Sequence, residues 1–239
     1  MVLLNILGIS ASPRKGNSEY LLQEALRETE QLPFTTRIKT VSFRGKKVQP
    51  CIGCFRCRTD QGACILKDDF EELRQNYLWA DVVVYAAPLY NFSIPGQLKC
   101  FIDRLGQAMT GYYGVRSTRP LKTVGNLIQG AHLYGGQDFA LTTLTMHELL
   151  AKCIPVAGDG WESYTGAAGW TGADSSRDAL QKLAEAGDRD ALIAVKSARS
   201  VVRRAVELAA MLKLGGSQLS DYLQADEKYI PACQRWFTE

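Results

Sequence analysis

Four cysteines fall within fourteen residues in CIGCFRCRTDQGAC, Cys51 to Cys64, at the spacing C-x2-C-x2-C-x6-C. Thiols at this density suit a metal centre, a pair of disulfides or a free-thiol loop. A structural zinc site usually takes two separated C-x2-C knuckles with a longer insert between them. Here the third cysteine overlaps the first knuckle, which is closer to the compact runs that hold iron–sulfur clusters. The ferredoxin pattern itself is absent, because the last gap is longer and no proline follows Cys64. Arg56 and Arg58 sit among the thiols, where they either offset thiolate charge or face solvent.

A second chemistry is written in GISASPRKGNS, which follows the apolar run Leu3 to Ile9. It is neither the GxGxxG of dinucleotide folds nor a Walker loop. It supplies the hydroxyls of Ser10, Ser12 and Ser18, the amide of Asn17, the cation of Arg14 and a helix start. Such a set binds a phosphate well, because backbone N–H groups at a helix N-terminus point at the anion. The plain alternative is an ordinary strand-to-helix loop with Ser18 as its cap. Two more loops carry ligand-ready groups. In PLYNFSIPGQLKCFIDR, Pro88 and Pro95 stiffen the chain while Asn91 and Ser93 can bond the polar edge of a ring, with Tyr90 at its side. In QGAHLYGGQD, the glycines let backbone approach a flat ligand. His132 in that loop is either a proton shuttle or a loop histidine without catalytic duty. No Ser-His-Asp or paired-carboxylate constellation stands out, which leaves hydrolysis unsupported.

These loops need elements to hold them. Leu3 to Ile9 reads as a strand buried on both faces, and Thr36 to Phe43 as a second. DVVVYAAP, Asp81 to Pro88, is the third, Thr123 to Ile128 the fourth, and a short fifth is expected near Ile154. Between them, helices are expected after Ser18, from about Asp68 to Tyr77, from Pro95 to about Leu105, and from Asp138 to Ala151. The glycine-rich stretch from Gly158 to Ser176 reads as a long loop. Ala198, Val201, Val202, Ala205, Leu208, Ala209 and Leu212 form the stripe of a final long helix. Asp103 and Arg104 are expected to form a local pair. The alternation predicts an α/β fold: a doubly wound, five-stranded parallel sheet of flavodoxin-like order 2-1-3-4-5, with a cysteine-rich loop after strand two and a C-terminal extension. Residues 1–214 form the predicted domain, with the cysteine loop 50–65 inserted, and 215–239 a tail. Ligands sit outside the carboxyl ends of such strands, here between the first strand and DVVVYAAP. The cysteine loop is expected to leave that same edge.

Bulk numbers fit this plan. A chain of 239 residues, 46% of them apolar, supports one sizeable core. A net charge of +3 without a long Lys/Arg run argues neither for a nucleic-acid binder nor for a membrane-surface protein, and no nucleic-acid partner is expected. No apolar stretch predicts membrane insertion, and MVLLNILGIS lacks the basic and cleavage regions of a signal peptide. Seven cysteines, an odd count with three of them isolated, predict reduced thiols and a cytoplasmic setting.

As a set, GISASPRKGNS, PLYNFSIPGQLKCFIDR and GAHLYGGQD resemble the three flavin loops of the NADPH-dependent FMN reductase family, over roughly Leu3 to Lys213. The resemblance implies FMN, its phosphate held by Ser10, Ser12, Arg14, Asn17 and Ser18. It implies a flavin ring against Pro88, Leu89, Tyr90, Asn91 and Ser93 on one side and Gly130, Ala131, His132, Gly135 and Gly136 on the other. Homodimers or homotetramers are usual in the family. The cysteine loop is similar to that of the family's iron–sulfur flavoprotein branch, which implies a [4Fe-4S] cluster on Cys51, Cys54, Cys57 and Cys64. The implied function is an FMN-dependent oxidoreductase that passes electrons between FMN and the cluster. Its redox partner would be NAD(P)H, a ferredoxin-like carrier or a quinone. Two other readings stay open: an NAD(P)H-dependent FMN, quinone or nitro reductase without a cluster, and an electron carrier or thiol redox sensor.

Overall fold

Six short runs pair in parallel: β1 (Leu3–Ser10), β2 (Thr35–Ser42), β3 (Val82–Pro88), β4 (Thr123–Gln129), β5 (Ile154–Pro155) and β6 (Ala167–Gly169). The computed structural model describes residues 2–237; Met1 and the last two residues of the expected tail, Thr238 and Glu239, lie outside the described residues. The strand order is β2-β1-β3-β4-β5, as the alternation predicts, and β6 is an addition to it. β3 occupies one edge of β4 along its whole length, so the other edge is shared. β5 pairs with Thr123 and Val124, and β6 with Leu127 to Gln129. The fifth position is therefore filled in two pieces, separated by an excursion through residues 156–166. Gly166 ends the excursion at φ +129, where a Cβ would stand 2.5 Å from the Asn126 carbonyl oxygen.

The period-two pattern of the strands divides the core in two. Leu7, Ile9, Val83, Tyr85, Ala87 and Ile128 face a layer that includes α2 (Phe70–Trp79), α3 (Gly96–Tyr113) and α4 (Gln137–Leu150). Leu4, Ile6, Val82, Val84, Ala86 and Leu127 face α1 (Asn17–Leu26), α5 (Ala179–Glu185) and α6 (Arg189–Gln218). Only β2, at the rim, is largely exposed, and it carries Arg37 and Lys39, charges that discourage edge pairing.

Three helices differ from their expected bounds. Ser18 does not cap α1; Gly16 is the N-cap and Ser18 lies buried inside the first turn. α3 runs on past Leu105, because Ala108 continues its buried stripe, and it stops at Gly114 in a left-handed conformation. α6 passes through Gly215 and Gly216 to Gln218. Gly216 marks a contact instead of an end: a Cβ there would lie 2.5 Å from the Trp236 ring. The chain then folds back through α7 (Ser220–Gln224) and α8 (Ile230–Phe237). Arg235 Nε and Trp236 Nε1 donate to Asp81 Oδ1 at 3.2 and 3.0 Å, and the Asn5 amide donates to Asp81 Oδ2 at 3.1 Å. This closes the N-terminal end of the sheet and leaves the carboxyl end as the open one.

Candidate functional site

At the carboxyl ends of β1, β3 and β4, loops converge on a solvent-open cleft of about 220 Å³. Its polar end is lined by Ser12, Arg14, Asn17 and Ser18. The N-terminus of α1 opens there with Gly16 as N-cap, so free N–H groups and the positive helix end meet the cleft. Ser12 Oγ donates to the Arg14 carbonyl at 2.7 Å and accepts from the Arg14 amide at 3.2 Å, which fixes the turn. Ser10 is buried one step below, and its Oγ has no hydrogen-bond partner.

The last part of the long loop expected from Gly158 to Ser176 closes this end. Thr171, Asp174 and Ser175 line the cleft. Arg14 Nη2 donates to the Ser175 carbonyl at 3.1 Å, and Asn17 Nδ2 to that of Ser176 at 2.9 Å. The amides of Thr171 and Ala173 both donate to the Ala131 carbonyl, at 3.3 and 2.8 Å. The loop thus ties the polar end to the opposite wall. Hydrogen bonds from Ser176 hold the Asp174 carboxyl below its usual range.

The other end is walled by Pro88, Leu89 and Tyr90 on one side and by Gln129, Gly130 and Ala131 on the other. Tyr90 and Ser93 exchange two backbone hydrogen bonds, 2.9 and 3.0 Å, across a turn whose central residues, Asn91 and Phe92, have φ 45 and 65. Gly136, at φ +103, lies under that turn: a Cβ would stand 2.5 Å from Phe92 Cα. At Gly135 a Cβ would stand 2.8 Å from Leu89 Cδ2. These two glycines fit one loop against the other and do not line the cleft. Asn91, Ser93 and His132 also lie outside the lining; the His132 side chain is exposed, and its carbonyl accepts from Gln137 Nε2 at 2.7 Å. Gln129 is the residue that sequence reasoning missed. Its Nε2 donates to the Gly130 carbonyl at 2.6 Å, while its buried Oε1, beside Gly169, has no partner.

The four loop cysteines line a second, small cavity, of about 20 Å³, together with Phe55, Phe70 and Ala108. All seven cysteines of the chain are free thiols. Burial pushes the Cys57 thiol up, and Cys64, Cys51 and Cys54 add to the rise by like charge. No three His, Cys, Asp or Glu side chains among the described residues gather about one metal-ion position. Two carboxylates staple the loop: Asp68 Oδ2 accepts from the Gln49 amide and Asp69 Oδ2 from that of Lys47, each at 2.7 Å. Gly111 lets the loop lie against α3, since a Cβ there would overlap the Cys57 carbonyl.

Arg104 is the cation of this cavity, a place that Arg56 and Arg58 do not take. Arg58 instead donates to Gln107 Oε1 at 2.8 Å. The expected Asp103–Arg104 pair is also not formed: Asp103 meets Lys99 Nζ at 2.5 Å, one turn away, and Arg104 Nη1 meets Asp68 Oδ2 at 2.6 Å. Both side chains of the latter pair are 2% exposed. Burial opposes the Arg104 charge, but Asp68 and Cys64 outweigh it and its pKa is raised. Its Nε and Nη2 are buried and make no hydrogen bond of normal geometry.

The two sites share no lining residue. The loop does leave β2 at the cleft edge, as expected, but it then runs down α3. Arg104 lies eight residues past Gly96, roughly 12 Å along the helix at 1.5 Å per residue.

Residues 4–146 match the NADPH-dependent FMN reductase family. The chain is 34% identical over 204 residues to an iron-sulfur flavoprotein of Archaeoglobus fulgidus, covering 85% of this chain and 96% of that one. It is 32% identical over 184 residues to an iron-sulfur flavoprotein of Methanosarcina thermophila, covering 76% and 91%. Among solved structures it is similar to RosB with bound 8-demethyl-8-formylriboflavin-5'-phosphate, at a TM-score of 0.64 and 16% identity, covering 93% and 88%. At that identity the likeness concerns the fold alone.

Proposed function

The chain belongs to the NADPH-dependent FMN reductase family, in its iron–sulfur flavoprotein branch, and from that premise we propose that this flavin-dependent oxidoreductase passes electrons between FMN and a [4Fe-4S] cluster on Cys51, Cys54, Cys57 and Cys64. The observation that supports the cluster is that all four cysteines line one apolar cavity, which the buried Arg104 guanidinium also lines. FMN supplies a ring that takes a hydride and releases electrons singly, and a cluster stores one electron at a time.

The chain's own residues bind and orient. Arg14, Ser12, Asn17, Ser18 and the α1 amides suit a phosphate dianion, and Arg14 spends only Nη2 on the Ser175 carbonyl. Pro88 to Tyr90 and Gln129 to Ala131 would flank the ring. The loop from Thr171 to Ser176 screens the phosphate end from water. Asn91, Ser93, His132, Gly135 and Gly136 serve the ring site by shaping its two loops.

The proposed outer partners are NAD(P)H, a ferredoxin-like carrier or a quinone. The proposed assembly is a homodimer or homotetramer: Phe92, Tyr134 and Phe139 are exposed in and beside the ring-side loops, where a second subunit can cover them. The proposed compartment is the cytoplasm. No helix among the described residues is long and apolar enough to cross a membrane.

An anaerobic visible spectrum with iron and sulfide assay tests the proposal. Flavin bands, a broad shoulder and about four irons per chain support it. Iron at background with flavin retained leaves the cluster-free alternative, an NAD(P)H-dependent FMN, quinone or nitro reductase, which the matched family favours. A chain that binds no flavin overturns both.

A further inference from the structure

We propose that Arg104 donates its Nε–H and an Nη2–H to the sulfurs of a cluster held by the four cysteines, and thereby raises that cluster's reduction potential. The assignment rests on the cluster reading above and extends it to the residue that tunes the centre. Arg104 lines the cavity with all four cysteines. Its guanidinium is fixed on three sides. Nη1 is committed to Asp68 Oδ2 at 2.6 Å and to the Gln49 carbonyl at 3.3 Å, and the Phe70 ring lies under the plane, 4.2 Å from ring centroid to Cζ. The remaining Nε and Nη2 are buried and make no hydrogen bond of normal geometry, and the neighbouring side chain able to accept from them is that of Cys64. A desolvated cation with idle donors is costly, and thiolate or sulfide acceptors at this place would satisfy it. Cluster sulfurs gain negative charge when an electron arrives, so N–H···S bonds and a nearby cation favour the reduced form. Asp68 is the positioning residue. Its Oδ2 also accepts from the Gln49 amide and its Oδ1 from the Phe70 amide at 3.2 Å, and its charge offsets part of the arginine's.

The test is a redox titration of the full, anaerobically reconstituted chain, with reduced cluster followed by electron paramagnetic resonance. Arg104→Met is expected to shift the reduction equilibrium about tenfold toward the oxidised cluster, 59 mV for one electron, with four irons and the flavin potential unchanged. Arg104→Lys is expected to recover part of the shift, since it keeps charge but not the planar fork. Asp68→Asn is expected to move the potential the opposite way, upward. A loosened loop would move the Met and Asn variants in one direction, and that result, or an unmoved potential in an iron-replete Met variant, overturns the assignment. If Arg104→Met does not retain iron, a wild-type potential in Arg104→Lys overturns it instead. A reconstituted wild-type chain that holds flavin but no iron or sulfide overturns the cluster reading, and the assignment with it.

Discussion

The cleft and the cysteine cavity are built on different principles. The cleft is made by strand-end loops: a helix start and polar residues at one end, and at the other two loops held in place by the close fit of Gly135 and Gly136 behind them. The sheet topology supplies it, because parallel strands deliver successive loops to one edge. The cavity is made of side chains on an inserted loop, which Asp68, Asp69 and the bare surface of Gly111 hold against α3. Since their linings are disjoint, each site is expected to be removable without the other. Cys57→Ser is expected to abolish the cluster while FMN stays bound at one per chain. Gly136→Val is expected to do the reverse, weakening FMN by tenfold or more with iron retained, because a side chain there meets Phe92 Cα in a left-handed backbone. Gly111→Ala is expected to lose iron and about 1–3 kcal/mol of stability, measured by denaturant unfolding. Joint loss of flavin and iron in the Cys57 variant would break the comparison.

A pH series probes the core that both regions abut. Burial pushes the Glu148 carboxyl on α4 up to about 8, with an opposing pull from Asn126. An acid whose folded pKa is raised holds its proton in the folded state while the unfolded chain releases it. Stability then falls as pH rises from the unfolded value near 4.5 to about 8. Burial lowers His147 to about 4, which makes stability fall in the other direction, but only below about 6.5. Between pH 6.5 and 8 the buried Lys122, whose pKa burial lowers, pulls stability the opposite way, and Glu148 itself contributes a falling slope of about 1.4 kcal/mol per unit, roughly 2 kcal/mol across the window. Glu148→Gln is expected to remove that contribution in denaturant titrations, with flavin and iron contents unchanged.

A smaller effect sharpens the cleft side. Arg14→Ala is expected to weaken FMN about tenfold, near 1.4 kcal/mol, and to leave riboflavin binding unchanged, because the guanidinium lies at the proposed phosphate end of the cleft. Equal weakening of both ligands, read by fluorescence titration, would place Arg14 elsewhere in the site.

What the sequence announced follows the same division. Strand order and the three cleft loops were legible because apolar runs, helix starts and glycines are local signals. β6 was not, since Ala167-Ala168-Gly169 has neither β-branched residues nor alternation. The closing contacts of Arg14 and Asn17 with residues 175 and 176 span about 160 positions, and no local pattern encodes them. The cysteine spacing was legible, but Arg104 was not. Its partner, Asp68, is set by how the inserted loop lies on α3, whereas the sequence offered Asp103 next door. Gly111 was the available clue: a glycine late in an apolar helix often marks close approach of another backbone.

Each region also keeps one phenylalanine in a left-handed conformation, Phe92 at φ 65 in the cleft turn and Phe55 at φ 56 in the cysteine loop. That conformation costs an L-residue about 1–2 kcal/mol, and asparagine tolerates it better. The two residues are 62% and 50% exposed, so little burial compensates. Their surroundings differ. Phe92 meets Gly136 through its backbone, which asparagine would keep, while the Phe55 ring walls the cysteine cavity and lies under Arg58 at 4.3 Å. Phe92→Asn is therefore expected to raise unfolding stability by about 0.5–1 kcal/mol, and Phe55→Asn by less, since it gives up apolar contact and a cation–π pair. A larger gain at Phe55 would mean that its ring does not wall the cavity, and the contrast between a loop-built cleft and a side-chain cavity would lose its support there.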